Sequence, residues 1–278
     1  MSDQPNVIAI VGVGLLGGSI AAAVKERNPG TQVVGIGRNQ TRLAQAAALG
    51  LLDSFHTDIN GIADADIIVI CTPVDRIVED VRNAAEVAKP GALITDVGSV
   101  KRTIVTGLLD LAAAGTFVGS HPMAGSEKSG FEHADPNLFV DANCIVCPTE
   151  VTPSTATATI IQFWQDLGSN TTSMPPEEHD KIVATISHLP HAVAAALART
   201  PDTPALPFAA TGFADTTRIA SGDPGLWAAI FAANREEVMS AIDQFKVELN
   251  TFRNAMESET EMFAYLQQAC SNGQSQGG

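Results

Sequence analysis

Three residues have the kinds of side chain needed in a site where an alcohol that also carries a carboxylate is oxidised. His121 can accept a proton, Ser99 has a hydroxyl that can orient the imidazole, and Arg218 is a planar cation suited to a carboxylate. Together they would serve hydride abstraction from a hydroxy acid. A histidine before proline can equally be a satisfied loop residue, and Arg218 could pair with Asp215 one helical turn away. The residues alone therefore leave this chemistry open.

A glycine-rich turn supplies a second feature, a place for a dinucleotide. Gly12-Val-Gly14-Leu-Leu-Gly17 directly follows an apolar, β-branched run and opens a helical segment. Glycines at this spacing allow a tight turn and close approach of the backbone to a pyrophosphate, which rests on the helix N-terminus. Because the motif has the strand before it and the helix after it that it requires, we predict a dinucleotide site.

The end of the second predicted strand indicates which dinucleotide binds. An NAD site usually holds the ribose 2′-hydroxyl with Asp or Glu at this position, but the sequence has Gly37 followed by Arg38. A guanidinium in place of a carboxylate favours a 2′-phosphate, with Thr41 and Arg42 as further donors. NADP is therefore the predicted cofactor and NAD the alternative. Arg38 could also be a surface arginine that binds nothing.

Two pairs of side chains have spacings that also occur at metal or redox sites. Cys144 and Cys147 spell C-x-x-C, but they lie in a predicted strand, where side chains three apart point to opposite faces. His188 and His191 share a helix face, but no further ligands follow at matching spacing. We predict no metal, a structural role for His188, and a solvated Lys101. No role is predicted for three histidines: His56, His133 and His179.

The elements that position these residues follow from hydrophobic periodicity. Up to about residue 175, short runs rich in Val and Ile alternate with helical stretches that end at glycine or proline. Runs without polar alternation are buried on both faces, which indicates a mostly parallel sheet and a doubly wound α/β fold of the Rossmann type. The predicted strands are residues 7–11, 32–36, 67–71, 93–97, 116–119, 144–147 and 171–174. The predicted helices are residues 15–27, 41–49, 74–88 and 100–114.

The pattern changes at Pro175-Pro176, after which alanine-rich helical sequence replaces the strands. Residues 177–199 predict one helix, bent at Pro190 because proline cannot donate the i→i−4 hydrogen bond. A later helix has an apolar stripe that must be buried in this domain or against a partner chain. The stripe consists of Val238, Ile242, Phe245, Leu249, Phe252 and Met256. We predict a dinucleotide-binding domain over residues 1–175 and an all-helical substrate and dimerisation domain over residues 176–278.

Composition and charge exclude several classes of function. The 278 residues are 45% hydrophobic, enough for a folded interior, and four cysteines in so long a chain do not make a disulfide scaffold. The net charge of −15 disfavours binding to nucleic acid or to an anionic membrane surface. The uncharged stretch 7–24 contains four glycines and follows no basic residue, so it is not expected to be a targeting or membrane segment. We expect a cytoplasmic protein.

Taken together, these segments resemble the prephenate/arogenate dehydrogenase family of tyrosine biosynthesis. The resemblance covers nearly the whole chain, and HPMAG followed by SHLPH is its most specific part. The motifs are GVGLLGGS, CTPV, DVGSVK, SHPMAGSEKSG, SHLPH and GFADTTRIASGDPGLW. The resemblance implies a Rossmann domain, a helical dimerisation domain and a homodimer. It also implies oxidative decarboxylation of prephenate to 4-hydroxyphenylpyruvate, or of arogenate to tyrosine.

The resemblance further implies roles for individual residues. His121 would polarise the substrate's 4-hydroxyl or accept its proton, Ser99 would share that hydroxyl, and Arg218 would clamp the ring carboxylate. His191 would face the substrate side chain, which favours prephenate because an imidazole can donate a hydrogen bond to its keto oxygen or carboxylate. A neutral imidazole could also accept from the ammonium group of arogenate, so use of both substrates stays open. The pocket would be lined or gated by Ser126, Glu127, Asp215 and Trp227. The cofactor would be bound by Gly12, Gly14, Leu15, Leu16, Gly17, Arg38, Thr72, Pro73 and Ser99.

Two other functions also suit a Rossmann domain followed by helices. A β-hydroxyacid dehydrogenase needs a catalytic lysine on a helix of the second domain, and the only serious candidate, Lys181, stands among acidic residues and lacks a glycine-rich substrate loop. A non-enzymatic protein that senses NADP would need the dinucleotide site but not the set of His121, Ser99 and Arg218. The absence of cofactor reduction in the presence of prephenate and NADP would favour this second alternative.

Overall fold

A computed structural model describes residues 5–125, 128–201 and 205–274, and contacts between residues divide the chain into two units. The first unit is Met1–Asn234 and the second is Arg235–Gly278. The predicted boundary after residue 175 falls inside the first unit, between its sheet and its helical part, and it stays a prediction.

The first unit is built on one eight-stranded sheet that is parallel except for a single pair. Its strands are β1 (Val7–Val11), β2 (Gln32–Ile36), β3 (Ser54–His56), β4 (Ile67–Ile70), β5 (Leu93–Asp96), β6 (Phe117–Pro122), β7 (Asn143–Cys147) and β8 (Asn170–Ser173). They lie in the order β3-β2-β1-β4-β5-β6-β7-β8, and only β6 and β7 are antiparallel. The order reverses at β1, where a doubly wound sheet opens a crevice for a ligand.

Helices cover both faces of this sheet. They are α1 (Leu15–Arg27), α2 (Gln40–Ala48), α3 (Ile77–Val87), α4 (Arg102–Thr106), α5 (Leu109–Ala113) and α6 (Ser154–Asp166). Successive side chains of a strand point to opposite faces, so Ile8 and Ile10 of β1 join one hydrophobic cluster while Ala9 and Val11 join the other. The predicted doubly wound, mostly parallel α/β fold is confirmed.

Three details of the predicted elements were wrong. The edge strand β3 was missed because it has only three residues, too few for a periodic signal. Strand β6 extends through Pro122 instead of ending at Gly119, because its last residues pair with β7. The helix predicted over residues 100–114 is divided at Gly107 into α4 and α5.

The helical part of the first unit begins at Pro176. It comprises α7 (Pro176–Val183), a π-helical segment (Ala184–His188), α8 (Leu189–Ala198), α9 (Thr211–Thr217) and α10 (Pro224–Ala233). Helices α7 and α8 are joined by the π segment into one run, as the sequence predicts. The wider turn lies just before Pro190, whose ring would otherwise crowd the carbonyl four residues earlier.

The continuous helical run Pro176–Ala198 is long and apolar enough to cross a membrane by length and composition alone. A core helix of a globular protein can satisfy the same criterion. In this run four polar side chains are buried: His179, Asp180, His188 and His191. The run is thereby an integral part of the first unit.

The second unit is a pair of helices, α11 (Arg235–Ala255) and α12 (Glu259–Gln274). They contact each other through Phe252 and Tyr265, whose rings meet edge to face with centroids 5.5 Å apart. Much of the predicted apolar stripe lies at the surface of the chain. The exposed large apolar side chains of this unit are Met239, Val247, Leu249, Phe252, Met256, Phe263 and Leu266.

Candidate active site

The glycine turn after β1 has the geometry that a pyrophosphate requires. Gly12 has a φ of +96°, and a side chain there would come within 2.8 Å of the Cys71 carbonyl oxygen. A side chain at Gly17 would collide with the Gly12 carbonyl oxygen. Helix α1 begins after Gly14, which provides no side-chain cap, so its first backbone N–H groups can point at an anion.

A cleft of about 630 Å³ opens beside this turn, between the carboxyl ends of β1, β2 and β4 and one side of α3. The predicted cofactor residues that line it are Gly12, Gly14, Arg38, Thr72 and Pro73. The Thr72 hydroxyl is buried without a hydrogen-bond partner within the described ranges, so it is available to a ligand. Leu15, Leu16 and Gly17 belong to the first turn of α1, and the half-buried Ser99 lies in the loop after β5.

Two arginines reach the cleft where the second strand ends, and their surroundings differ. Arg42 donates to Glu132 at 3.0 Å, and its guanidinium stacks on Phe131, 4.7 Å from the ring centroid. Arg38 is exposed, and its side chain makes no hydrogen bond or ion pair within the part of the chain that the structure describes. Arg38 is thus the arginine whose donors can meet a phosphate without leaving another partner.

A row of three side chains fixes the tautomer of His121. His121 Nδ1 lies 2.8 Å from His179 Nε2, and His179 Nδ1 lies 2.7 Å from Asp180 Oδ1. A carboxylate only accepts hydrogen bonds, so the His179 Nδ1–H donates to Asp180, and neutral His179 then accepts at Nε2. His121 must donate its Nδ1–H to His179. Its Nε2 is therefore unprotonated and can act as a base.

The environment keeps this row of imidazoles neutral. Burial lowers the pKa of His121 well below its ordinary value of 6.5, and the nearby His179 and Lys101 lower it further. Burial also lowers the pKa of His179, although the hydrogen bond to Asp180 opposes that shift. At neutral pH, the His121 imidazole is therefore uncharged and can accept a proton.

A buried ion pair lies next to the row. Lys101 and Asp96 are both fully buried, and the Lys101 ammonium hydrogen-bonds to the Asp96 carboxylate and donates to the Ser120 carbonyl at 2.8 Å. Asp96 Oδ1 also accepts from the backbone N–H of Ser120, the residue before His121. The prediction of a solvated Lys101 was wrong, because the helix start that carries it is packed against β5 and β6.

A second group of rings lies on the run of α7 and α8. His191 stacks on Trp227, with centroids 3.5 Å apart and an angle of 12° between the planes. His188 Nδ1 lies 3.2 Å from the Asn234 amide, which also donates to the Asp180 carbonyl at 2.8 Å. Burial lowers the pKa of His188 to about 4 and also lowers that of His191. His188 Nε2 and His191 Nδ1 are buried without partners among the described residues.

The other predicted substrate residues are exposed at the surface or lie outside the described residues. Arg218 is exposed and begins the turn Arg218–Ser221, which packs against α8, the helix of His191. Asp215 is exposed on α9. Two further predicted residues, Ser126 and Glu127, lie outside the described residues. The roles assigned to all of these residues stay predictions.

Sequence reasoning missed the residues that support His121. The sequence analysis predicted no role for His179. The available signal was the adjacent pair His179-Asp180 in the first turns of a helix. Asp180, Lys101 and Asn234 gave no periodic signal, because each acts through a contact with residues far along the chain. Within residues 5–125, 128–201 and 205–274, no group of three or more His, Cys, Asp or Glu side chains could hold a metal ion.

Comparison with known families matches nearly the whole chain. Residues 20–173 match the family model "Prephenate dehydrogenase, nucleotide-binding domain". Residues 175–268 match "Prephenate dehydrogenase, dimerization domain". These matches confirm the resemblance that the motifs indicated.

Individual relatives agree with the family models. The chain is 35% identical to a prephenate dehydrogenase of Bacillus subtilis, over 97% of this chain and 76% of the relative. It is 33% identical to a cyclohexadienyl dehydrogenase of Zymomonas mobilis, over 91% of this chain and 89% of the relative.

Solved structures show the same relationship. A prephenate dehydrogenase of Aquifex aeolicus, in complex with hydroxyphenyl propionate and NAD⁺, superposes with a TM-score of 0.93 at 33% identity, covering 99% of both chains. An arogenate dehydrogenase of Synechocystis superposes with a TM-score of 0.84 at 30% identity, covering 97% of this chain and 99% of that one. With this sequence, sheet order and glycine-lined cleft, the chain belongs to the prephenate dehydrogenase family of oxidoreductases, which use a nicotinamide dinucleotide.

Proposed function

We propose that this protein oxidatively decarboxylates prephenate to 4-hydroxyphenylpyruvate. The observation that carries the proposal is the row of His121, His179 and Asp180, which presents an unprotonated imidazole nitrogen at the carboxyl end of β6. A base at this position suits removal of a hydroxyl proton during hydride loss. The aromatic acid and NAD⁺ bound to the Aquifex aeolicus relative support the same class of ligands.

A bound nicotinamide dinucleotide supplies the acceptor for the hydride that leaves C4 of the substrate. His121 Nε2 accepts the proton of the 4-hydroxyl as C4 becomes carbonyl-like. The electrons of the breaking bond between C1 and the carboxylate close the aromatic ring, and CO₂ leaves. The proton held by His121 then returns to the phenolate oxygen, so no net proton is consumed. His179 and Asp180 orient the imidazole throughout.

The pH dependence of the reaction follows from the low pKa of His121. The base works only when unprotonated, so kcat/KM must fall as pH drops through the pKa of His121 in the free enzyme. Burial puts that pKa well below 6.5. We therefore expect that protonation of His121 causes no fall in kcat/KM between neutral pH and pH 6.5. A rate profile across acidic pH checks this. A midpoint at or above 6.5 that vanishes in His121→Asn would contradict it.

We propose that prephenate is preferred over arogenate. The neutral imidazole of His191, held flat against Trp227, keeps Nδ1 buried without a partner in the described part of the chain. It can donate to a keto oxygen or side-chain carboxylate, whereas an ammonium group would favour an acidic neighbour. Values of kcat/KM for both substrates test the preference. A value for arogenate about tenfold above that for prephenate would reverse it.

We propose that Arg218 clamps the ring carboxylate of the substrate. The clamp acts in the ground state as well as the transition state, so Arg218→Ala should mainly raise KM. A charge-assisted contact predicts a rise of about tenfold to a hundredfold with kcat nearly unchanged. Arg199→Ala, at the exposed end of α8, is the matched control. Steady-state kinetics with prephenate measure both values; a collapse of kcat at constant KM would show that Arg218 does more than position the substrate.

We propose that NADP is preferred over NAD through Arg38. The support is the missing acid at Gly37 and the exposed guanidinium of Arg38, while Arg42 is engaged by Glu132. Arg38→Ala should lower kcat/KM for NADP by about tenfold to a hundredfold and spare NAD. Arg82→Ala, which removes an ion pair with Asp110 outside the cleft, is the control. Equal or better kcat/KM with NAD in the unmodified enzyme would show that Arg38 contacts no phosphate.

We propose that the enzyme works as a homodimer in the cytoplasm. The exposed apolar side chains of α11 and α12 and the match to a dimerization domain support the dimer. All four cysteines are free, as expected in a reducing compartment. Light scattering at micromolar concentration should give twice the chain mass of 29.0 kDa. A single-chain mass would overturn the dimer.

A further inference from the structure

Two polar atoms in the dinucleotide cleft are buried without partners within the described ranges, at the start of α3. They are Oδ2 of Asp80 and Nε of Arg76, and both residues line the cleft. Asp80 is only 9% exposed. Nη2 of Arg76 lies 3.4 Å from Oδ1 of Asp80, so the two side chains are adjacent. Buried polar groups are nearly always hydrogen-bonded, so an acceptor and a donor left open side by side indicate a ligand.

Apolar side chains also line the cleft, alongside polar ones such as Thr57, Asn83 and Glu86. Ile36 and Leu43 line it from the second strand and α2, while Ile59 and Val87 line it from other segments. The glycine turn that suits a pyrophosphate lies in the same cleft. A flat heterocycle bound between the apolar side chains would therefore have a hydrogen-bonding edge within reach of α3.

We propose that Asp80 and Arg76 recognise the adenine base of the dinucleotide. Asp80 Oδ2 accepts a hydrogen bond from the exocyclic amino group, and Arg76 Nε donates to the neighbouring ring nitrogen. In hypoxanthine a carbonyl oxygen replaces the amino group, so two acceptors would face each other at Asp80. This inference rests on dinucleotide binding in the cleft, but not on the substrate or on the choice between NADP and NAD.

Calorimetric titration with two pairs of dinucleotides tests the proposal. NAD is compared with nicotinamide hypoxanthine dinucleotide, and NADP with the hypoxanthine analogue of NADP. Within each pair that binds, we expect Kd for the adenine form to be lower by about tenfold or more. The ratio within a pair cancels any contribution of the 2′-phosphate, and no substrate is present. The preference is therefore measurable even in a protein that does not turn over prephenate.

The variant Asp80→Asn sharpens the test. Asparagine can accept from an amino group or donate to a carbonyl, so the preference for adenine should fall to within about threefold. Glu79→Gln is the matched control, because it removes an exposed first-turn acid from the same helix, and it should keep the full preference.

Three results would overturn the proposal. Equal Kd values for the two bases in the unmodified protein would show that water alone meets the buried atoms, and this comparison needs no variant to fold. Full preference in folded Asp80→Asn would show that Asp80 does not contact the base. An equal loss of the preference for adenine in Glu79→Gln would show that the effect comes from the charge of the helix and not from contact of Asp80 with the base.

Discussion

Replacing His121 by asparagine is expected to lower kcat by about 10²–10⁴-fold, the usual contribution of a positioned acid–base group. The amide fills much of the same space on β6 but cannot hold the proton of the substrate hydroxyl. Without a base, that proton must leave to water while C4 loses its hydride. The chemical step should therefore slow, while the dinucleotide cleft, lined by other residues, is unchanged. Steady-state kinetics with prephenate and calorimetric Kd values for the cofactor measure the two effects.

The matched control is His133→Asn, since His133 is an exposed histidine outside the row. Its kcat should equal that of the unmodified enzyme. If His121→Asn retains kcat within about threefold of the unmodified enzyme, His121 is not the base, because a general base contributes far more than that. A large loss of cofactor affinity in His121→Asn would instead place the residue in the cofactor site.

The second large effect concerns stability. Lys101→Met should lower the free energy of unfolding by roughly 3–5 kcal/mol, because it leaves the fully buried carboxylate of Asp96 without its counter-charge. Methionine retains much of the apolar stem, so lost packing contributes little. Denaturation by urea, followed by circular dichroism, measures the change.

Two further variants separate the buried charge from other causes. The double variant Asp96→Asn/Lys101→Met removes both charges of the buried pair and should recover most of the lost stability. Lys246→Met breaks an exposed pair with Asp243 and should cost at most about 1 kcal/mol. A Lys101→Met variant no less stable than Lys246→Met would show that the buried pair contributes nothing.

The sequence predicted those parts of the molecule whose residues are neighbours along the chain. The glycine turn, its strand and its helix are contiguous, so the dinucleotide cleft could be predicted from residues 7–27 and from Gly37-Arg38. The doubly wound sheet followed from uninterrupted Val and Ile runs. The edge strand β3 was missed because three residues with alternating burial resemble a loop.

The support of His121 could not be predicted because it depends on tertiary contacts. His121 and His179 are 58 residues apart, and Lys101 contacts Asp180 through its backbone N–H from a separation of 79 residues. Neither spacing has a periodic signature. Lys101 at a helix start resembles a solvated residue in any local window, and only the burial of Asp96 beside it shows otherwise.

The most direct test of the central claim is the stoichiometry of a single reaction. The purified protein is mixed with prephenate and excess oxidised dinucleotide, NADP or NAD. Absorbance measures the reduced nicotinamide, while CO₂ and 4-hydroxyphenylpyruvate are quantified in the same sample. We predict that the three appear in equimolar amounts and that His121→Asn slows all three together. Absence of reduced nicotinamide from correctly folded protein with either dinucleotide, or its formation without CO₂, would contradict the proposed oxidative decarboxylation.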